Sequence, residues 1–300
     1  LLIEQFDLRQ RAVRDLLLKL PVDDVDLTVN GNAIGLAEKF AAATGGKIKC
    51  HPVFNTATVN INDWSIDFAM LRAETYARPG ALPAVQPGTL ETDLFRRDFT
   101  INTMAIRLNK ENYGELIDLY GGKKDLSAGL IRVLHEQSFV DDATRMWRAV
   151  RYERRLDFKI EPETKRLIKR DIGLLSTVGG FRLRRELELV LQERKPEKAL
   201  LRASQLKILP ATHPLLIADR WVSSLFPRVR AVSGNITVPP DVYLALLLYR
   251  FEAKELTQLI KYLRFSKTQE KIINAARELD FDLYHPSGTH VEIAKLLSLA

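Results

Sequence analysis

Residues 23–29 read Asp-Asp-Val-Asp-Leu-Thr-Val, and the alternation in this run decides how the front of the chain folds. On a β-strand successive side chains point to opposite faces, so Val25, Leu27 and Val29 turn one way and Asp24, Asp26 and Thr28 the other. Two carboxylates two residues apart on one strand face repel each other, and a divalent cation relieves the repulsion. Hard oxygen donors at this spacing suit Mg²⁺, which typically takes one or two carboxylates and keeps its remaining positions for water and phosphate oxygens. By itself the spacing also describes an acidic strand end beside a turn.

Outward from this run, Thr56 to Ile61 and Ser65 to Met70 read as further strands and Ala33 to Ala43 as a helix, so the first part of the chain is α/β. From Phe139 onward the apolar spacing becomes helical, over Thr144 to Leu156, Arg184 to Leu191, Glu197 to Ser204, Val242 to Phe251, Lys254 to Tyr262 and Thr268 to Leu279. The change falls between the Gly121-Gly122 turn and Phe139, and a further break is expected near Leu209-Pro210. These breaks predict three domains over 1–137, 138–208 and 209–300, the last expected to be incomplete because an apolar helical pattern, Val291 to Ala300, runs to the end. No internal repeat or low-complexity tract interrupts them.

The 300 residues are 46% hydrophobic, ample for more than one core, which excludes a disordered or fibrous chain. Lys and Arg outnumber Asp and Glu 45 to 38, a formal charge of +7 that suits a polyanionic partner without requiring one. The lone Cys50 has no internal disulfide partner, and the five histidines show no zinc-like spacing. The longest apolar run, Val242 to Tyr249, is too short to span a bilayer, so a soluble, cytoplasmic protein is expected, with no membrane partner and no evident oligomeric state.

A second string gives the acidic pair its context. Arg96-Arg97-Asp98-Phe99-Thr100-Ile101-Asn102 resembles the R-R-D-F-T-I-N signature of class II tRNA nucleotidyltransferases and bacterial poly(A) polymerases. The order of the surrounding segments fits the same family: Asp24-x-Asp26, Phe54-Asn55-Thr56-Ala57, Ile66-Asp67, Arg72 to Pro83, Asp118 to Leu126, and Asp141-Asp142-Ala143-Thr144-Arg145. The resemblance implies an α/β polymerase-β-like nucleotidyltransferase head followed by all-α neck and body domains. It further implies CCA or terminal-A addition to tRNA from CTP and ATP, with two Mg²⁺ ions for which Mn²⁺ can substitute.

Residue by residue, the resemblance makes Asp24 and Asp26 the catalytic metal ligands, with Asp67 as a third carboxylate. Arg14, Arg96, Arg97, Asp98 and Asn102 would bind the incoming nucleotide, guanidinium forks matching phosphate oxygens and a carboxylate accepting from a ribose hydroxyl. Asp142, Arg145 and Arg148, spaced to share a helix face, would read the base edge. Cytosine and adenine each set an exocyclic amino donor beside a ring-nitrogen acceptor, which a carboxylate and a guanidinium satisfy together. An N-terminal capping cluster is the other reading of Asp142. Arg72, Glu74 and Tyr76 fall in the flexible loop such enzymes use for the last adenosine.

Ten basic residues against four acidic ones between Arg145 and Arg170 suggest a cradle for the tRNA acceptor stem. Arg151, Arg154, Arg155, Arg182 and Arg185 are its candidate RNA contacts, whereas Trp147 and Tyr152 read as core. Asp118 and Asp125 are expected to organise the Gly-Gly turn between them.

Two departures stand out. Gln10 and Arg11 occupy the place where the family carries a Gly-Gly turn, and Leu1 to Arg11 does not read as the strand that should precede it, so residues are expected to be missing near this join. Phe181 stands where an acid opens the family's E-R-x-x-x-E helix, here Gly180 to Leu187. Three rival readings remain: an A-only enzyme, a poly(A) polymerase, whose G-R-R-F string is absent before Ile66-Asp67, and a catalytically inactive RNA-binding homologue.

Overall fold

The computed structural model describes residues 6–9, 11–22, 24–52, 55–279, 281 and 286–299; Gln10 and Ala300 lie outside them. It divides into two compact units, one of residues 1–77 and 82–136, the other of residues 78–81 and 137–300.

The first unit is built on a mixed sheet. Its elements are β1 (Phe6–Arg9), α1 (Arg11–Leu17), β2 (Asp24–Val29), α2 (Ala33–Thr44), β3 (Lys47–His51), β4 (Thr56–Ile61) and β5 (Trp64–Met70). There follow β6 (Arg72–Thr75), β7 (Ala84–Pro87), α3 (Leu90–Phe95), β8 (Met104–Arg107), β9 (Leu116–Asp118) and α4 (Gly122–Ala128). Among the described residues the main sheet has seven strands in the order β3-β4-β5-β2-β1-β8-β9. The period-two reading of β2 holds: Leu27 and Val29 are buried and Val25 packs with them, against Ala33, Ala37 and Ala41 of α2 and Val59 and Phe68 of the neighbouring strands. The alanine face lets α2 lie close on the sheet. Asn32 caps it by accepting from the Gly35 N–H, and Gly45 ends it at φ 72, a conformation that favours glycine.

Two expectations are corrected. Phe6–Arg9 is a strand after all, antiparallel to β2 with Leu8 opposite Leu27 and to β8 with Leu8 opposite Ile106. Four residues are too few to display an alternation, and pairing on both edges sets the strand where local propensity does not. The stretch expected to be a loop from Arg72 begins as β6, paired with β7 from Arg72 opposite Pro87 to Thr75 opposite Ala84. Arg72 and Glu74 therefore sit on a strand, and only Tyr76 begins the connection.

The second unit is helical: α5 (Ser138–Asp141), α6 (Arg145–Arg155), α7 (Pro162–Asp171), α8 (Gly180–Leu191), α9 (Pro196–Gln205), α10 (Ile208–Thr212), α11 (Arg220–Ser233), α12 (Pro240–Leu248), α13 (Ala253–Leu263), α14 (Lys267–Arg277) and α15 (Pro286–Leu299). Trp147 of α6 is fully buried and its indole N–H donates to Thr212 Oγ1 at 2.9 Å, so it is a core residue as read. Residues Val242 to Leu248 of α12 are all buried, which explains a helix with no polar stripe. Among the described residues no helix is long and apolar enough to cross a membrane.

Candidate active site

Strand β5 lies parallel to β2 with Asp67 in register with Asp26 and Ser65 with Asp24. Residues in register on adjacent strands share a face. With Ile66, Phe68 and Met70 packed into the core below, Asp26 and Asp67 front the opposite side. There they line a cleft of about 480 Å³ together with Thr58, Arg72 and Arg96. Thr58, in register on β4, donates its hydroxyl to Asp67 Oδ1 and fixes that carboxylate. Asp24 is placed by its backbone two residues before Asp26; its carboxylate lies outside what the structure describes.

Among the described residues no group of three or more His, Cys, Asp and Glu side chains could hold a metal alone. Two in-register carboxylates over a cleft are nevertheless the donor set that Mg²⁺ accepts when substrate oxygens complete its shell.

The cationic wall of the cleft is held from behind. Asp93 on α3 is completely buried. Its Oδ1 accepts from Arg96 Nη2 at 2.7 Å and its Oδ2 from Arg97 Nη2 at 2.5 Å. Glu74 on β6 accepts from Arg96 at 2.8 Å, pairs with Arg72 at 3.0 Å and takes the Tyr76 hydroxyl at 2.9 Å. The sequence reading passed over Asp93, although its spacing of three and four residues from the two arginines is a helical ion-pair pattern, with Thr89 and Thr92 forming a capping box just before it.

Arg14, Arg97, Asp98 and Asn102 are buried, at 1%, 6%, 7% and 4% exposure. Arg14 donates to Asp15 Oδ1 and to Asn102 Oδ1 at 2.8 Å, and Asn102 in turn donates to Asp98 Oδ1 at 2.9 Å. This chain ties α1 to the R-R-D string and orients Asp98, which also accepts from the Phe99 N–H. Asp118 organises the Gly-Gly turn by accepting from the Gly122 and Lys123 N–H groups, whereas the carboxylate of Asp125, expected to do the same, accepts from Thr100 Oγ1 and Arg132 away from the turn. Gly122 is obligatory there, because a Cβ would fall 2.3 Å from the Thr100 carbonyl oxygen.

In the helical unit Asp142 is not on the helix with Arg145. It has extended backbone, φ −146 and ψ 101, between α5 and α6. Its Oδ1 accepts from the Thr144 N–H at 3.0 Å and the Thr144 hydroxyl at 2.7 Å, the local bond by which an aspartate competes with helix formation. The same oxygen accepts from Arg182 Nη2 at 2.8 Å. Arg182, expected as an RNA contact, is thus a partner of Asp142, and its other terminal nitrogen reaches the Gly80 carbonyl at 3.5 Å. Gly80 has φ 77, and a Cβ there would lie 2.3 Å from the Thr177 carbonyl oxygen.

Arg145 and Arg148 do share a face of α6. Arg145 is buried and donates to the Ser138 carbonyl at 3.3 Å, while Arg148 approaches the Tyr152 hydroxyl at 3.5 Å. Arg151 is 5% exposed, and burial pushes its pKa down, opposed by Tyr152; its guanidinium lies 5.2 Å from that ring. It supports the ring from within and is not a surface phosphate contact. Arg154, Arg155 and Arg185 are exposed, and each has an ion-pair partner, Glu153, Glu193 and Glu188 respectively.

Residues 11–132 match the family described as the poly A polymerase head domain, and residues 157–219 match that of a probable RNA and SrmB-binding site of polymerase A. A solved CCA-adding enzyme in an apo form is 35% identical and superposes with a TM-score of 0.82 over 92% of this chain and 67% of its own. The chain belongs to the tRNA nucleotidyltransferase and poly(A) polymerase family. Within this family, the A-adding tRNA nucleotidyltransferase of Geobacter sulfurreducens is 49% identical over 223 residues, 73% of this chain and 25% of that protein. The chain therefore spans about a quarter of the length of that relative. A tRNA nucleotidyltransferase solved with a primer tRNA and an incoming ATP analogue shows 29% identity and a TM-score of 0.78, covering 99% of this chain and 91% of the other.

Proposed function

We propose that the protein is a template-independent tRNA nucleotidyltransferase. The 3′-hydroxyl of a tRNA attacks the α-phosphorus of ATP or CTP, a phosphodiester forms and pyrophosphate leaves. The observation that carries this reading is the pair of in-register carboxylates, Asp26 and Asp67, facing a cleft whose other wall is Arg72 and Arg96. Asp26, Asp67 and Asp24 would hold divalent cations, two Mg²⁺ in this reading, with Mn²⁺ as a substitute. Such ions supply activation of the attacking hydroxyl and neutralisation of the triphosphate. Arg96 and Arg72 meet phosphate oxygens with guanidiniums already aimed by Asp93 and Glu74, so little ordering is left to binding.

Asp142 and Arg145 select the base. Asp142 spends Oδ1 on Thr144 and Arg182, which holds Oδ2 in place to accept from the exocyclic amine of adenine or cytosine. Residues 1–137 act as the catalytic head, 138–208 as the nucleotide-reading neck and 209–300 as a tRNA-contacting body, with Arg154 and Arg185 as exposed phosphate contacts. Tyr76 begins the loop that serves the last addition. Nucleotide and tRNA substrates, with the unpaired Cys50, fit a cytoplasmic setting.

A second reading, addition of the terminal A alone, is favoured by the Geobacter relative: at 49% identity it is named A-adding, while the CCA-adding structure stands at 35%. The test offers tRNAs ending before CCA, after C and after CC, each with ATP and CTP separately. Extension of only the CC end, and only by ATP, identifies A addition; CTP added to the shorter ends identifies full CCA addition; no magnesium-dependent extension of any end overturns the proposal.

A further inference from the structure

Strand β3 is the outer strand of the main sheet, and its side chains divide by face. Lys49 is in register with Thr58, Thr58 with Asp67, and Asp67 with Asp26. Residues in register share a face, so Lys49 stands in the same row as the two cleft carboxylates, and Lys47 and His51, two residues to either side, belong to that face as well. His51, opposite Thr56, itself lines the cleft. Cys50, on the other face, packs against the core. All three cleft-side positions of β3 are therefore Lys or His, and all three are exposed. Among the described residues neither lysine has an ion-pair partner. Thr58 stands between Lys49 and Asp67 and gives its hydroxyl to that carboxylate. A lysine on an edge strand often serves only to prevent edge-to-edge pairing. That role needs neither a second cation on the same face nor a histidine inside the cleft.

We infer that Lys47, Lys49 and His51 bind the phosphate backbone of the single-stranded 3′ end of the RNA acceptor and lead its 3′-hydroxyl to Asp26 and Asp67. This rests on the proposed function. Two polyanions must meet at the carboxylate pair, and the triphosphate is already met by Arg72 and Arg96. The acceptor is the other, and its last phosphates lie within a nucleotide or two of the reacting hydroxyl. Strand β3 is two strands from β5, about 10 Å, and the row from Lys47 to His51 is about 13 Å long, a reach that suits a chain of phosphates. As the outer strand, β3 leaves the face open on that side for the RNA to enter. Ammonium groups and an imidazole N–H take phosphate oxygens without reading a base, as an enzyme serving all tRNAs requires.

The experiment measures binding of two fluorescently labelled tRNAs by anisotropy over a range of salt. One ends in CC and the other is trimmed to the last base pair of its acceptor stem. The variant combines Lys47→Ala, Lys49→Ala and His51→Ala; a second, Lys47→Arg with Lys49→Arg, keeps the charge. The triple variant binds the CC-ending tRNA about tenfold or more weakly at low salt, each exposed charge contributing up to about fivefold. Its plot of log affinity against log salt is flatter by about 1.4, the share of two phosphates on a single strand. Its affinity for the trimmed tRNA equals that of wild type, KM for ATP at saturating tRNA does not move, and the arginine variant behaves as wild type. Unchanged affinity and slope for the CC-ending tRNA overturn the site, as does an equal loss on the trimmed tRNA. A rise in KM for ATP with tRNA affinity intact also overturns it, by giving the row to the triphosphate. End-dependent binding by a wild-type protein that extends no tRNA leaves the site standing and removes the proposed function instead.

Discussion

Asp26 and Asp93 are carboxylates of the same unit held in opposite ways. Asp26 is half-buried on a strand face that fronts a cleft, in register with Asp67 across a parallel pair. Asp93 is sealed under Arg96 and Arg97, with no surface left for a ligand. The first opens onto the cleft; the second holds Arg96, which lines that cleft, and Arg97. In the helical unit the Oδ1 of Asp142 is likewise held, by Thr144 and Arg182. A short acidic motif therefore does not reveal which carboxylate acts and which positions.

The largest effect expected from breaking this contrast is on rate. Asp26→Ala should lower single-turnover incorporation by about a thousandfold or more, the equivalent of the several kcal/mol that metal-assisted charge neutralisation contributes. Thermal stability and tRNA affinity should stay within a few-fold of wild type, because phosphate contacts carry the affinity. Retention of most of the turnover rate would remove Asp26 from the metal site.

Asp93→Asn should do the reverse. Removing one partner from a buried ion pair costs about 3–5 kcal/mol, because two interior guanidiniums are left without their carboxylate. Denaturant unfolding should show the loss in the first unit, and a rise in KM for ATP should accompany it as Arg96 loses its aim. Normal stability of the Asp93→Asn variant would show that Glu74 and backbone carbonyls suffice.

Arg145→Ala and Asp142→Ala should each cost roughly tenfold to a hundredfold in correct incorporation, the worth of about 1.5–3 kcal/mol for a hydrogen bond to a charged group. Misincorporation of UTP and GTP should rise relative to ATP and CTP, with metal dependence unchanged. A smaller change is expected of Arg182→Ala, which loosens Asp142 without removing it: a few-fold narrowing of the same preference, read by the same four-nucleotide assay. If Asp142→Ala lowered the melting temperature alone, its bonds to Thr144 would be its whole function.

The smallest effect concerns pH. Burial lowers the pKa of His213, whose Nδ1 also accepts from the Leu215 N–H at 3.4 Å and whose ring tilts against Tyr262. The folded state thus prefers the neutral ring. Its contribution to stability is present above the unfolded pKa of about 6.5 and is lost as pH falls through the folded value. Proton NMR titration of His213 should give a midpoint below that of an unfolded peptide; a midpoint at or above it would contradict the packing described.

Much of the head was legible. The strands β2, β4 and β5 alternate cleanly, and the helix α2 has its alanine face and its Asn32 and Gly45 caps in the sequence. What escaped is instructive. Strand β1 is four residues long and is defined by its neighbours. Helix α11 runs through Pro227, so a breaker concealed a helix whose buried Val222, Leu225, Phe226 and Val229 nonetheless follow helical spacing. Asp142 looked helical by its distance from Arg145, and only its bonds to Thr144 and Arg182 show that it stands just outside. Which arginines line the cleft was not legible at all. Arg72 and Arg96 do, whereas Arg14, Arg97 and Arg151, the same residue type, are buried.

The most direct test is incorporation of each of the four nucleotides, one at a time, into a tRNA ending in CC, by wild type and Asp26→Ala, with magnesium and with a chelator. The account predicts ATP addition by wild type in magnesium, none with the chelator, none by the variant at comparable times, and little UTP or GTP addition in any condition. Equal addition by the variant, or addition indifferent to magnesium, would contradict it.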